Sequence, residues 1–209
     1  KLIAEGTEID SIIFDNFNDI TKWRGIYFEN AHDSTIISYS RISNSQKSVG
    51  GGILIENTDL EINNVLINDN FSTEKGGGIF IWSSNPTLNK TVINRNKSIE
   101  EGGGILMEYS NPNLKNITII NNEASIGAGI YLNESNPKII NASVVNNLNT
   151  VSTIGSDITL YISDPIIINS IIWGNYNSSG YFNFGGYSEP IINYSNIKGF
   201  WDYEEGFCF

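Results

Sequence analysis

Few side chains in this sequence are of the kinds that move protons, hold metals or attack carbonyls, and those few are scattered. The only histidine, His32, is followed by Asp33 and Ser34, an order in which a base could sit beside the group that orients it. Asp33, however, falls near a column of turn residues, Asp59, Asn85 and Asn111, so the pair reads as a solvent-exposed turn. Arg24, Arg41 and Arg95 are of the type that steadies developing negative charge, but they lie in separate segments without an acidic cluster beside them. One cysteine, Cys208, and one histidine exclude an ordinary zinc site, and a single thiol excludes a disulfide within the chain. Calcium requires several converging oxygens. Glu74 and Glu100-Glu101 occupy equivalent positions just ahead of glycine runs, and with Lys75 nearby they read as solvated acidic turns. No serine or threonine has the strand–turn–helix setting of a nucleophile elbow. No catalytic residue is assigned on these grounds, and no metal or other cofactor is expected.

The residues best suited to holding a ligand are aromatic. Tyr181, Phe182, Phe184 and Tyr187 crowd one polar stretch between Tyr176 and Ser188, and Trp201 and Tyr203 follow. Aromatic faces stack on sugars, and exposed apolar patches mark contacts. The competing reading is that these rings cap the open end of a repeat array, where strand edges and core would otherwise be exposed.

The elements that must position all of these groups follow from an internal repeat. GGGI ends at Ile53, Ile79 and Ile105, and GAGI at Ile130, in steps of 26, 26 and 25 residues. A second series keeps the same register through Asn85-Pro86, Asn111-Pro112, Asn136-Pro137, Asp164-Pro165 and Glu189-Pro190. A third runs through Asn70, Asn96, Asn122, Asn147 and Asn175, each preceded by a β-branched stretch. Within a unit, Ile105 to Tyr109 alternates as a strand does, Ser110-Asn111-Pro112 breaks it, Leu114 to Ile120 resumes, and Asn121-Asn122 turns again. Helical periodicity is absent. A unit of this length holds three short strands and three turns, and stacking such units pairs strand on strand in parallel, about 4.8 Å apart.

The same register predicts what lies inside. Ile62, Leu88, Leu114, Ile139 and Ile167 should stack, as should Ile67, Ile93, Ile119, Val144 and Ile172. Asparagine tolerates the left-handed region and can bond its amide to the coils above and below. Asn70, Asn96, Asn122, Asn147 and Asn175 are therefore expected to form a continuous structural ladder. A partial one should pass through Asn64, Asn116, Asn141 and Asn169, interrupted by Lys90.

Composition limits the partners. Across 209 residues the chain carries 12 basic and 23 acidic residues, a formal charge of −11, which argues against nucleic acid and anionic membrane as partners. No apolar run is long enough to cross a bilayer, so no membrane insertion by this segment is expected. Asn70, Asn116 and Asn193 head N-x-S/T sequons, but asparagine, serine and threonine are abundant enough for chance to supply them.

These units resemble the right-handed parallel β-helix repeats of bacterial surface and secreted proteins, within the superfamily that includes pectate lyases. The opening stretches AEGTEIDSIIF, WRGIYF and STIISYSRI resemble coils that lead such proteins; INSIIWGN and EPIINYSNIKGFW resemble coils that end their arrays. The resemblance implies an all-β, right-handed single-stranded parallel β-helix of about seven to eight coils, forming one domain over 1–209. Residues 1–28 would be irregular early coils, 29–175 the regular array, and 176–209 a loop and final coil. It implies a piece of a longer protein, at the extracellular or cell surface of a bacterium. Enzymes of this superfamily that cut acidic polysaccharides use paired carboxylates or clustered cations, and this chain has no Asp-Asp pair and no Asp-Pro-His sequence. A non-catalytic structural or adhesive module is therefore expected, with carbohydrate or another surface protein as partner. The alternative is a polysaccharide-binding or polysaccharide-cleaving module.

Overall fold

The computed structural model describes residues 1–16, 22–151, 158–173, 183–185 and 187–197. The alternating, β-branched segments form short strands, most of two to four residues, and the described residues contain no helix. A strand so short cannot satisfy its own backbone; it takes its hydrogen bonds from the equivalent strand one repeat away. Ile53, Ile79, Ile105 and Ile130 pair in succession, all in parallel, so the glycine repeat read from the sequence is the register of the sheet itself.

The stacked coils build a parallel β-solenoid with three sheets, of 14, 7 and 5 strands. The largest is folded along its length. Its early strands, Ile36–Ser43 and Glu61–Asn68, run through the fold, whereas later coils split into pairs such as Thr87–Asn89 and Val92–Asn94. The fold line is a column of left-handed residues, including Tyr39, Asn64, Lys90, Asn116 and Asn141, with φ between 44 and 54°. Three further left-handed columns complete the corners. One passes through Asp69, Arg95 and Asn121, one through Ser83, Tyr109 and Glu134, and one through Gly50, Gly76 and Gly102.

Only the last column is glycine, and the reason is steric rather than conformational alone. Gly76 has φ +65°, and a Cβ there would stand 2.7 Å from the Cβ of Phe80 on the outer face. Two residues on, a Cβ at Gly78 would meet the Gly104 carbonyl oxygen at 2.6 Å and the Asn96 amide nitrogen at 3.0 Å. The first glycine thus permits a concave outer corner, and the third lets the backbone lie against the inner amide ladder.

The core sits inside the tube as stacked columns. Both expected stacks are present, Ile62–Leu88–Leu114–Ile139–Ile167 and Ile67–Ile93–Ile119–Val144–Ile172, each member essentially inaccessible. Burying an aliphatic side chain of this size contributes about 2–3 kcal/mol, and the seven-stranded sheet adds further columns through Ile79 and Ile81. A smaller apolar cluster, Leu54, Phe80 and Leu106 with Val49 and Tyr131, lies on the outside of the same sheet at the glycine corner.

Among the described residues the coil count is about six full turns, not seven to eight. Ile3–Glu5 and Ile12–Phe14 pair only onto Ile36–Ser43 in the folded sheet. At the other end, Asn183–Gly185, Ile191–Asn193 and Asn196–Ile197 extend two of the three sheets. Among the described residues, the end segments therefore carry the strand signature of a coil but pair in only one or two of the three sheets.

Candidate functional site

The inner asparagine ladder is built as the register requires. The Asn96 Oδ1 accepts from the Asn70 backbone N–H at 3.1 Å and from the Asn70 amide at 2.9 Å. Its own amide donates to the Ile67 carbonyl at 2.9 Å and to the Asn122 Oδ1 at 3.1 Å. Asn122 repeats the pattern onto Asn147, at 3.0 Å for both bonds. Each buried amide thereby has every donor and acceptor engaged, which makes a polar column tolerable in an apolar tube. Ser45 heads the column, its hydroxyl donating to Asn70 Oδ1 at 2.7 Å. Asn175 lies outside the described residues.

A second buried ladder carried a sequence signal that composition concealed. The hydroxyls of Ser84, Ser110, Ser135 and Ser163 each accept from the backbone N–H one coil back, at 2.9 to 3.1 Å. Each also donates to the carbonyl two residues before it, at 2.7 to 2.8 Å. Thr58 begins the run and Ser188 continues it. The column precedes Asn-Pro or Asp-Pro in each repeat, but serine is common enough here for the alignment to pass unnoticed.

Outside, the Asn-Pro column forms a simpler chain. Asn111 donates its backbone N–H to Asn85 Oδ1 at 2.9 Å, and Asn136 donates to Asn111 Oδ1 at 2.8 Å. The partial ladder at the fold line is also present: Asn141 donates to Asn116 at 3.0 Å, and Asn116 to Asn89 at 2.9 Å.

Of the aromatic candidates, Tyr187 is almost fully exposed, and Phe184 belongs to Asn183–Gly185, whose backbone pairs beside Leu160. Tyr181, Phe182 and Trp201 lie outside the described residues, as do Tyr203 and Cys208. A different set of rings emerges on the outer face of the seven-stranded sheet. Tyr27, Trp82, Tyr109 and Tyr161 are each 39 to 52% exposed there. Sequence spacing does not mark them, since each lies in a different repeat and only parallel stacking brings them to one face.

Carboxylates separate these rings. The Tyr27 hydroxyl donates to Glu56 at 2.5 Å, a bond that raises its pKa, and the Lys47 ammonium stands 4.6 Å from the Tyr27 ring centre. Lys75 reaches both Glu101, at 3.0 Å, and Glu108, at 2.9 Å. Burial works against its charge, but the two carboxylates outweigh it and hold the Lys75 pKa above the usual lysine range. Tyr109 is also pushed up, first by the charge of Glu134 one coil on.

Glu74 and Glu100-Glu101 do occupy adjacent coils, with the Glu100 N–H bonded to the Glu74 carbonyl at 3.0 Å. Among the described residues, no three histidine, cysteine or acidic side chains converge as metal ligands would. His32 lies in an exposed turn, where its Nδ1 accepts from the Ser34 N–H at 3.1 Å and lies 2.9 Å from the Ser34 hydroxyl. That pairing closes the turn locally.

One open depression of about 460 Å³ lies at the fold line of the large sheet. Thr7, Glu8, Tyr39, Arg41, Asn64 and Lys90 are among its lining residues. Arg41 is turned toward Asp15, at 3.3 Å, whose carboxylate also accepts from Ser43 and Asn44. Burial raises the Asp15 pKa, but these bonds and the Arg41 charge together lower it. The depression thus combines one carboxylate, two cations and several neutral hydrogen-bonding groups.

The fold and its ladders define a class, the single-stranded parallel β-solenoids. Residues 24–197 match the family model described as the right handed beta helix region, and the chain belongs to that family. No curated protein and no solved structure matches the chain.

Proposed function

We propose that this chain is a non-catalytic structural or adhesive module of an extracellular or cell-surface protein. The observation that supports this reading is the pair of ladders, amide and hydroxyl, that join successive coils. Such ladders make stability a sum over neighbouring coils and give a stiff rod, about 30 Å long for six turns, whose outer columns can vary. The acidic balance keeps such a rod soluble and away from polyanions. The test is incubation with acidic and neutral polysaccharides, with and without calcium, followed by product analysis. Intact polymer is expected; new reducing or unsaturated ends would sink the reading.

A second reading is a polysaccharide-binding or polysaccharide-cleaving module, and the depression beside Arg41 and Lys90 favours it. Two cations and a ring there suit an acidic sugar. On this reading Lys90→Ala weakens retention of an acidic polysaccharide, measured by affinity electrophoresis. Binding without cleavage, lost on replacing Tyr181 and Phe184, would instead make the aromatic stretch a carbohydrate-recognition surface.

A further inference from the structure

We propose that the outer face of the seven-stranded sheet docks a basic peptide segment of a partner protein, with the Tyr109 ring receiving a lysine or arginine side chain beside Glu108 and Glu134. The inference rests on the adhesive role proposed above and names the chemistry that one outer face recognises.

The molecule already uses this chemistry on the same face. Tyr27 is tethered through its hydroxyl to Glu56, one coil on, and its ring carries the Lys47 ammonium at 4.6 Å. Tyr109 also has a carboxylate one coil on, Glu134, which holds the equivalent corner. The Tyr109 backbone N–H bonds to the Asn133 carbonyl at 3.1 Å, which sets it against that coil. Tyr109 is 52% exposed, with Trp82 and Tyr161 exposed on the same face. In register, Trp82 lies between Glu56 and Glu108, and Tyr161 pairs beside Asn133.

Charge complementarity selects the occupant. Glu29, Glu56, Glu101, Glu108 and Glu134 outnumber Arg24, Lys47 and Lys75, with Lys75 alone shared between Glu101 and Glu108, within a chain of net charge −11. Ring faces flanked by carboxylates attract ammonium and guanidinium groups and disfavour uronates or phosphates. From Tyr27 to Tyr161 the face crosses six coils, roughly 24 Å, the length of about seven extended residues. An extended segment with several cations matches that length better than a single small amine does.

The experiment is fluorescence anisotropy of the full chain with a labelled short peptide alternating lysine and threonine, against the same peptide with glutamate for lysine. The lysine peptide should bind and the glutamate peptide should not. Tyr109→Ala should weaken binding roughly threefold to thirtyfold, while Tyr109→Phe, which keeps the ring, should retain most of it. Trp82→Ala and Glu134→Gln should each weaken it, whereas the remote Asp33→Asn should not. No preference for the lysine peptide, full affinity in both Tyr109→Ala and Trp82→Ala, or equal weakening by Asp33→Asn and Glu134→Gln would overturn the proposal. Equal weakening would mean diffuse attraction to a polyanion. None of these results bears on the structural reading, which fails only if polysaccharide is cleaved.

Discussion

The inner asparagine column and the outer Asn-Pro column share a residue type and a period, and both sit beside turns. Inside, Asn96 is 1% exposed and makes four hydrogen bonds through its amide. Outside, exposed Asn111 accepts one backbone bond through its side chain and passes the pattern to the next coil. Water can replace what Asn111 does and cannot reach what Asn96 does. The same sequence signal therefore marks two positions of very different energetic weight, decided by which way the turn directs the side chain.

Mutation should separate the two columns sharply. Asn96→Ala leaves the Asn70 N–H and one Asn70 amide hydrogen without their acceptor and takes one bond each from the Ile67 carbonyl and the Asn122 Oδ1, which keeps the Asn96 N–H, and is expected to cost about 3 kcal/mol or more. The check is the urea midpoint. Ser110→Ala removes one buried hydroxyl that serves the Ser84 N–H and the Glu108 carbonyl, so a loss of about 1–2 kcal/mol is expected in the same assay. Asn111→Ala, on the outer column, should shift stability by less than about 0.5 kcal/mol. A loss at Asn111 equal to that at Asn96 would erase the distinction.

The smallest effect should be electrostatic. Asp69 and Arg95, at the corner beside the inner ladder, form a two-pronged pair at 2.7 and 2.8 Å. The Arg95 bonds hold the Asp69 pKa below its usual value. A carboxylate depressed in the folded state adds stability above its unfolded pKa of about 3.9, and loses it as pH falls through the lower folded value. Thermal midpoints should therefore drop as pH falls below about 4, and Arg95→Ala should flatten that drop. The pair is partly exposed, with side-chain accessibilities of 56 and 33%, so the difference should be slight and should shrink further in salt.

The repeat, the parallel register and both inner aliphatic stacks were legible because one period governs pairing and facing together. The inner amide ladder was legible for the same reason. The serine ladder was not, since its column is set by hydrogen bonds to backbone rather than by a rare residue type. The expected coil count exceeded six because, among the described residues, the end segments pair in only one or two of the three sheets. The exposed rings gave no local cluster at all. Successive members of the set Tyr27, Trp82, Tyr109 and Tyr161 are 27 to 55 residues apart in sequence and meet only across coils.

Thus the sequence alone determined the solenoid, its register and the identity of its core, because a period of about 26 residues leaves each strand one partner on either side. Only the tertiary structure decided which polar columns turn inward, which glycine opens a concave corner and which side chains share an outer face. Those outcomes depend on the direction of each left-handed turn and on approaches between neighbouring coils, such as that of Gly78 to the Asn96 amide. Such distances arise only when the coils stack.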